Sequence, residues 1–300
     1  MTYAARPAIP TELDLEAFSH LVYAMRHRVS SPRPGNHASR SPGPFGRFQG
    51  LSLLAGDNDA RRIDLKASIT DPFEEIRIRR FAQPSNGTVW ILVDLSGSMG
   101  FEGTVSRHAV AVALAAGLAE AVRRAGDKVG IVAACGDAAP VFELQPTRRA
   151  SAPLEVATSL AAVQPSGAGL EGLAKCAASL PASPSLVFVV SDFAAPLGEI
   201  GTLLDALALH DVRPLVVADP DAEMPNRRFG LVHLDDLEGA GRGLIFLRPL
   251  LLATWRRERT ARRQALFRLF VQTGCQPLQV TGQIDLRSLS EDLLSGTVAA

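Results

Sequence analysis

From residue 88 onward the apolar positions fall into short solid runs that alternate with longer stretches of helical periodicity. Residues 89–93 are consecutively apolar, as in a parallel strand covered on both faces. A helix over 105–125 follows, closed by Gly126. Further strands are predicted over 128–135, 140–144 and 186–190, the first two joined through Gly136 and Asp137. Helices over 153–163 and 170–180 flank the turn PSGAG, and another spans 197–210. Residues 212–218 read as a strand interrupted by Pro214, so its start belongs near a sheet edge. Short strands with a Gly-rich turn occupy 229–247, a long helix 249–273 and a short one 288–294. This alternation argues an α/β fold: a doubly wound, mostly parallel sheet with helices on both faces.

Upstream the pattern differs. Residues 10–28 read as an amphipathic helix capped by Thr11, with Leu13, Phe18, Leu21, Val22 and Met25 on one face. Glu12 and Asp14 favour its positive end, and Arg26 and Arg28 its negative end. Residues 29–50 are rich in Ser, Pro, Gly and Arg and read as a loop carrying Arg33, Arg40 and Arg47. GDNDARRIDLKAS, residues 56–68, reads as a polar turn leading into a short strand. Its Asp57, Asp59, Arg61, Arg62 and Asp64 can pair with one another. EIRIRRF, residues 75–81, alternates polar and apolar and reads as a strand with one exposed face. The division expected is a helix and β-rich unit over 1–85 and the α/β domain over 86–300.

Composition narrows the class. With 47% hydrophobic residues the chain can bury a sizeable core. Lys plus Arg equals Asp plus Glu at 31 each, so no overall field favours nucleic acid or a membrane surface. Cys135, Cys176 and Cys275 are far apart and fit neither a zinc spacing nor a disulfide framework, which suits a reducing compartment. The first residues hold no apolar signal core, and no apolar run is long enough to span a bilayer. A soluble, cytoplasmic protein is expected.

The candidate chemistry sits in TVWILVDLSGSMG, residues 88–100. Asp94, Ser96 and Ser98 place a carboxylate and two hydroxyls at alternate positions just past a strand end. Hard oxygens aimed at one point suit Mg²⁺ or a similar cation; the plainer reading is a capped turn. Asp192 follows the run 186–190 in the same way. Ligands of a doubly wound sheet gather at the carboxyl ends of its strands, so Asp94 and Asp192 belong in one crevice. Other chemistries fit worse. A nucleophile elbow would need a Gly two residues before its Ser, and none stands there; His108, His210 and His233 have no evident geometry as bases. Gly97, Gly100 and Gly103 have the wrong spacing for a dinucleotide site, and no P-loop is present. The helix over 255–268 carries Arg256, Arg257, Arg259, Arg262, Arg263 and Arg268. A neutral chain without a nucleic-acid motif is not expected to bind DNA or RNA. The alternative is a nucleic-acid-binding or structural protein with a degenerate metal site.

The D-x-S-x-S-M stretch resembles the metal-ion-dependent adhesion site, or MIDAS, of von Willebrand factor type A domains. That pattern also has a last-loop Asp, matched by Asp192, and a Thr on an intermediate loop. SGAGL, residues 166–170, puts Ala168 at the Thr position, with Ser166 or water as the substitute. The resemblance thus implies a site for Mg²⁺, or Ca²⁺ or Mn²⁺, formed by Asp94, Ser96, Ser98 and Asp192 and weakened at Ala168. GDNDARRIDLKAS, EIRIRRF, GDKVG at Gly126, SDF at Ser191 and HDVRPLVVADPDAEMP at His210 narrow it further. Together they resemble the bacterial family named domain of unknown function 58, from about Gly35 to the C-terminal helix, although Leu65 stands where a Trp is usual. The resemblance implies a chaperone-like, non-enzymatic partner of a MoxR-type AAA+ ATPase that assembles, activates or metallates a client. The client would supply an acidic ligand. One branch, the MxaS-like proteins, implies maturation of methanol dehydrogenase.

Overall fold

The computed structural model describes residues 15–25, 42–43, 47–54, 60–82, 86–103, 105–219, 229–235, 242–282 and 284–295. Near the start, helix α1 (Leu15–Phe18) is followed by a small antiparallel sheet of β1 (Pro42–Gly43), β2 (Arg47–Leu53) and β3 (Arg77–Ala82), with β3 in the middle. Helix α2 (Leu65–Ile69) lies between β2 and β3. From there the chain runs β4 (Thr88–Asp94), α3 (Arg107–Arg124), β5 (Lys128–Ala134), β6 (Pro140–Thr147), α4 (Ala152–Ala162) and α5 (Glu171–Ala178). It continues through β7 (Leu186–Ser191), α6 (Leu197–Ala206) and β8 (Asp211–Ala218) to a hairpin of β9 (Gly230–Asp235) and β10 (Arg242–Leu247). Helix α7 (Pro249–Gln272), β11 (Leu278–Thr281) and α8 (Leu286–Ser295) complete it.

The central sheet has the order β11-β8-β7-β4-β5-β6. Every neighbouring pair is parallel except β5 and β6. The fold is therefore α/β, doubly wound and mostly parallel. Strand order reverses at β4: β5 follows on one side and β7 on the other, which makes the gap between the ends of β4 and β7 the switch point where such sheets bind ligands. The solid apolar run of β4 follows from cover on both faces. Val89, Ile91 and Val93 face α3, while Trp90 and Leu92 face α5 and α6. Residues Val110 to Val122 of α3 are all buried, so this helix lies inside the domain rather than on it.

Three expectations change. Within 10–28 the described part is helical only over α1; Leu21 and Tyr23 leave the helix to enter the core, a tertiary demand that overrides helical periodicity. Thr11, Arg26, Arg28, Arg33 and Arg40 lie outside the described residues. The strand expected within 56–68 is instead a short 3₁₀ turn (Ala60–Arg62) and α2, because the Asp64 carboxylate caps the helix by accepting from the Ala67 N–H at 3.1 Å. Asp64 also pairs with Arg79 at 2.8 Å; Asp57 and Asp59 lie outside the described residues. Strand β11 was not expected at all. The edge position expected for the start of β8 is found: β11 pairs with it only from Leu215 on, one residue past Pro214.

The N-terminal segment is fastened to the domain. Phe18 packs on Gly117 of α3 so closely that a Cβ there would lie 2.3 Å from the ring. The Tyr23 hydroxyl donates to Asp127, which also accepts from the Gly87 N–H at 2.7 Å. Burial, then the Asp127 charge, drives the Tyr23 pKa upward, so the phenol stays protonated. Among the described residues no helix is long and apolar enough to cross a membrane.

Candidate metal centre

Strand β4 delivers Asp94 at its carboxyl end, and a 3₁₀ turn (Gly97–Gly100) then carries the chain back toward the sheet. Met99 nails that turn into the core at 0% exposure, which leaves Ser96 and Ser98 on its other side. Strand β7 ends beside β4 and delivers Ser191 and Asp192. The loop over 166–170 closes the third side: the Gly97 N–H donates to the Gly167 carbonyl at 2.8 Å, and the Ser166 N–H to the Leu95 carbonyl at 3.0 Å.

All four expected residues meet there. The Ser96 and Ser98 hydroxyl oxygens are 3.2 Å apart, and the Ser98 hydroxyl donates to Asp192 Oδ1 at 3.2 Å. Asp94 Oδ1 accepts from the Ser96 N–H at 2.8 Å, and Oδ2 from the Ser191 hydroxyl at 2.5 Å. Asp94, Ser96 and Ser98 are buried, and the Asp192 side chain is only 4% exposed. Burial, and next the charge of Asp192, push the Asp94 carboxyl up to about 7, against hydrogen bonds from Ser191 and Ser96 that pull it down. Two buried acids and two hydroxyls form a donor set made only of hard oxygens, and the acids repel each other. That chemistry fits a divalent cation such as Mg²⁺ or Ca²⁺. Among the described residues no group of three or more His, Cys, Asp or Glu side chains could hold a metal ion; the oxygens gathered here come from two carboxylates and two hydroxyls.

Ala168 brings no oxygen. Its backbone lies against Gly136, whose φ of +54° and lack of a Cβ permit an approach that a side chain would block at 2.6 Å. Ser166 is exposed, and no hydrogen bond joins its hydroxyl to the four donors.

Sequence reasoning missed two neighbours. Ser191 was visible as part of the SDF motif but not as a partner of Asp94. Arg107, the first residue of α3, had no signal. Its guanidinium forms an ion pair with Asp192 Oδ2, donates to the Ser98 carbonyl at 3.2 Å and sits 5.1 Å from the centre of the Phe101 ring. It neutralises one of the two acids from within the chain. The candidate base His108 is spent elsewhere, bonded at 3.0 Å to the Leu160 carbonyl between α3 and α4. Beside Asp192 opens a cleft of about 670 Å³, bounded by α7 and the ends of β8 and β11.

The family model for the protein of unknown function DUF58 matches residues 54–262. An uncharacterized protein of Mycobacterium tuberculosis is 26% identical over 231 residues, 74% of this chain and 70% of that protein. A protein of Paracoccus denitrificans, named as an uncharacterized protein in the moxR 3′ region, is 30% identical over 101 residues, 34% of this chain and 96% of its own length. Among solved structures, the SpRpn10 VWA domain is similar over 72% of this chain and all of its own, with 13% identity and a TM-score of 0.39.

Proposed function

The chain belongs to the DUF58 family, and from that premise we propose that it is a non-enzymatic, metal-dependent adaptor that binds an acidic partner at the end of its central sheet. The observation that carries this reading is the convergence of Asp94, Ser96, Ser98 and Asp192 at the switch point between β4 and β7. These residues would hold the cation, which when bound supplies a Lewis-acidic point for an Asp or Glu of the partner. The chain's own part is to fix the donors. Ser191 and the Ser96 N–H orient Asp94, the Ala194 N–H orients Asp192 at 3.0 Å, and the buried Met99 holds the turn. The relative named for the moxR region supports a MoxR-type AAA+ ATPase as the machine this adaptor serves, with the acidic segment on the ATPase or its client.

Calorimetric titration of Mg²⁺ and Ca²⁺ into the wild type and Asp94→Ala tests the centre. Pull-down of the ATPase with and without EDTA tests the adaptor role. The reading expects heat from the wild type alone and capture that EDTA abolishes. Equal heats from both proteins would remove the metal centre, and capture unaffected by EDTA would remove the metal from the adaptor role.

A further inference from the structure

The cleft beside Asp192 is shaped by α7 more than by the strand ends. Among the described residues this helix buries only Leu252 and Phe270. It carries Arg256, Arg257, Arg259, Arg262, Arg263 and Arg268 against a single acid, Glu258. Phe267 and Val271, one turn apart, are 59% and 57% exposed, and Phe267 faces the cleft with Arg268 beside it. The floor is apolar: Leu266 and Phe270 line it, and Phe270 meets Phe193 edge to face at 5.1 Å. Arg262 is held in the wall, where its guanidinium donates to the carbonyls of Phe193, Ala194 and Ala195 at 3.1, 2.8 and 2.5 Å. Those carbonyls fix its place, and among the described residues no ion pair cancels its charge, whereas Arg107 is neutralised by Asp192.

We propose that this cleft is a second binding site, independent of the cation, for a linear acidic segment of a partner protein that carries an aromatic or aliphatic residue among its carboxylates. Arginine and aromatic residues are the side chains most enriched where proteins meet. Arg268 offers a planar, charged fork to a carboxylate, and Arg262 adds its positive charge from the wall. Phe267 would stay wet against a purely acidic chain, so an apolar residue is required for it to contribute. A nucleic acid supplies the charge but no aliphatic side chain to anchor on Phe267. The inference goes beyond the adaptor reading: it adds a contact that persists when the metal centre is empty.

The test uses the full chain in EDTA and fluorescence anisotropy with a labelled random copolymer of glutamate and tyrosine. That probe presents acidic and aromatic residues in many orders at once. Poly-glutamate and single-stranded DNA serve as comparators. The copolymer should bind roughly tenfold or more tightly than either, and Phe267→Ser and Arg268→Glu should each weaken it by roughly tenfold. Both positions are exposed, and circular dichroism melts check that the variants fold. Asp94→Ala should bind the copolymer like the wild type. Equal affinity for the copolymer and poly-glutamate, tighter binding of DNA, or indifference to both α7 variants would overturn the proposal. Copolymer binding that appears only with Mg²⁺ and vanishes in Asp94→Ala would overturn it while leaving the adaptor reading standing. Copolymer binding without cation, in a protein that takes up no Mg²⁺, would support the cleft and remove the metal centre.

Discussion

Arg107 occupies the one oxygen of Asp192 that faces away from Ser98. In the proposed metal centre a cation would compete with this internal guanidinium, so Arg107 would limit affinity as the oxygen missing at Ala168 would. A charge-assisted contact of this kind is worth about 1.5–3 kcal/mol, or roughly a tenfold change in affinity or more. Arg107→Gln should therefore bind Mn²⁺ about tenfold more tightly than the wild type in calorimetry, while Arg107→Lys stays near it. If Arg107→Gln bound no more tightly, the pair would be an ornament of the cation-free state. The contrast with Asp94, Ser96 and Ser98 shows what a sequence can disclose. Donors two residues apart on one turn leave a local pattern, and Asp192 repeats it after a second apolar run. Arg107 reaches the centre from the start of a helix, with nothing in its neighbours to mark the direction it takes.

At the scale of elements, the strands and helices from β4 to β8 were legible because each apolar run or stripe packs on its own neighbours. The misread elements answer to distant partners. Four residues of β11 exist because the open edge of β8 accepts them, and the segment after α1 unwinds because the core takes Leu21 and Tyr23. The contact between α1 and α3 can be tested by filling it. A methyl at Gly117 would meet the Phe18 ring at 2.3 Å, far inside van der Waals contact. Ala is the better helix former by about 1 kcal/mol, yet overpacking costs about 1–3 kcal/mol, so the clash should win. Urea denaturation should show Gly117→Ala less stable than the wild type. Paired with Phe18→Ala, the two losses should sum to less than their separate values, since the ring that clashes is gone. Full additivity would mean that α1 moves aside without cost.

For the whole molecule the open question is how far the last residues belong to the α/β domain. The sequence placed them in the α/β domain over 86–300 as a long helix and a short one, with nothing to say that the chain returns to the sheet between them. The structure joins them to the main core. Leu278 and Val280 of β11 and Leu289 and Leu293 of α8 are all under 9% exposed and share one apolar cluster with β4, α3 and β8. Burying a side chain of this kind contributes about 1.5–3 kcal/mol, so four of them contribute roughly 6–12 kcal/mol. That is the same order as the 5–15 kcal/mol that typically separates a folded domain from its unfolded chain. Ending the chain after Gly274 would also strip β8 of its outer partner and expose Leu215 and Val217 along an unpaired edge, an invitation to pair with other chains. The truncated protein should therefore lose its cooperative thermal transition and aggregate, with no cation response left to measure. A shortened chain that melts cooperatively near the wild-type temperature would show that β11 and α8 rest on the domain without holding it together.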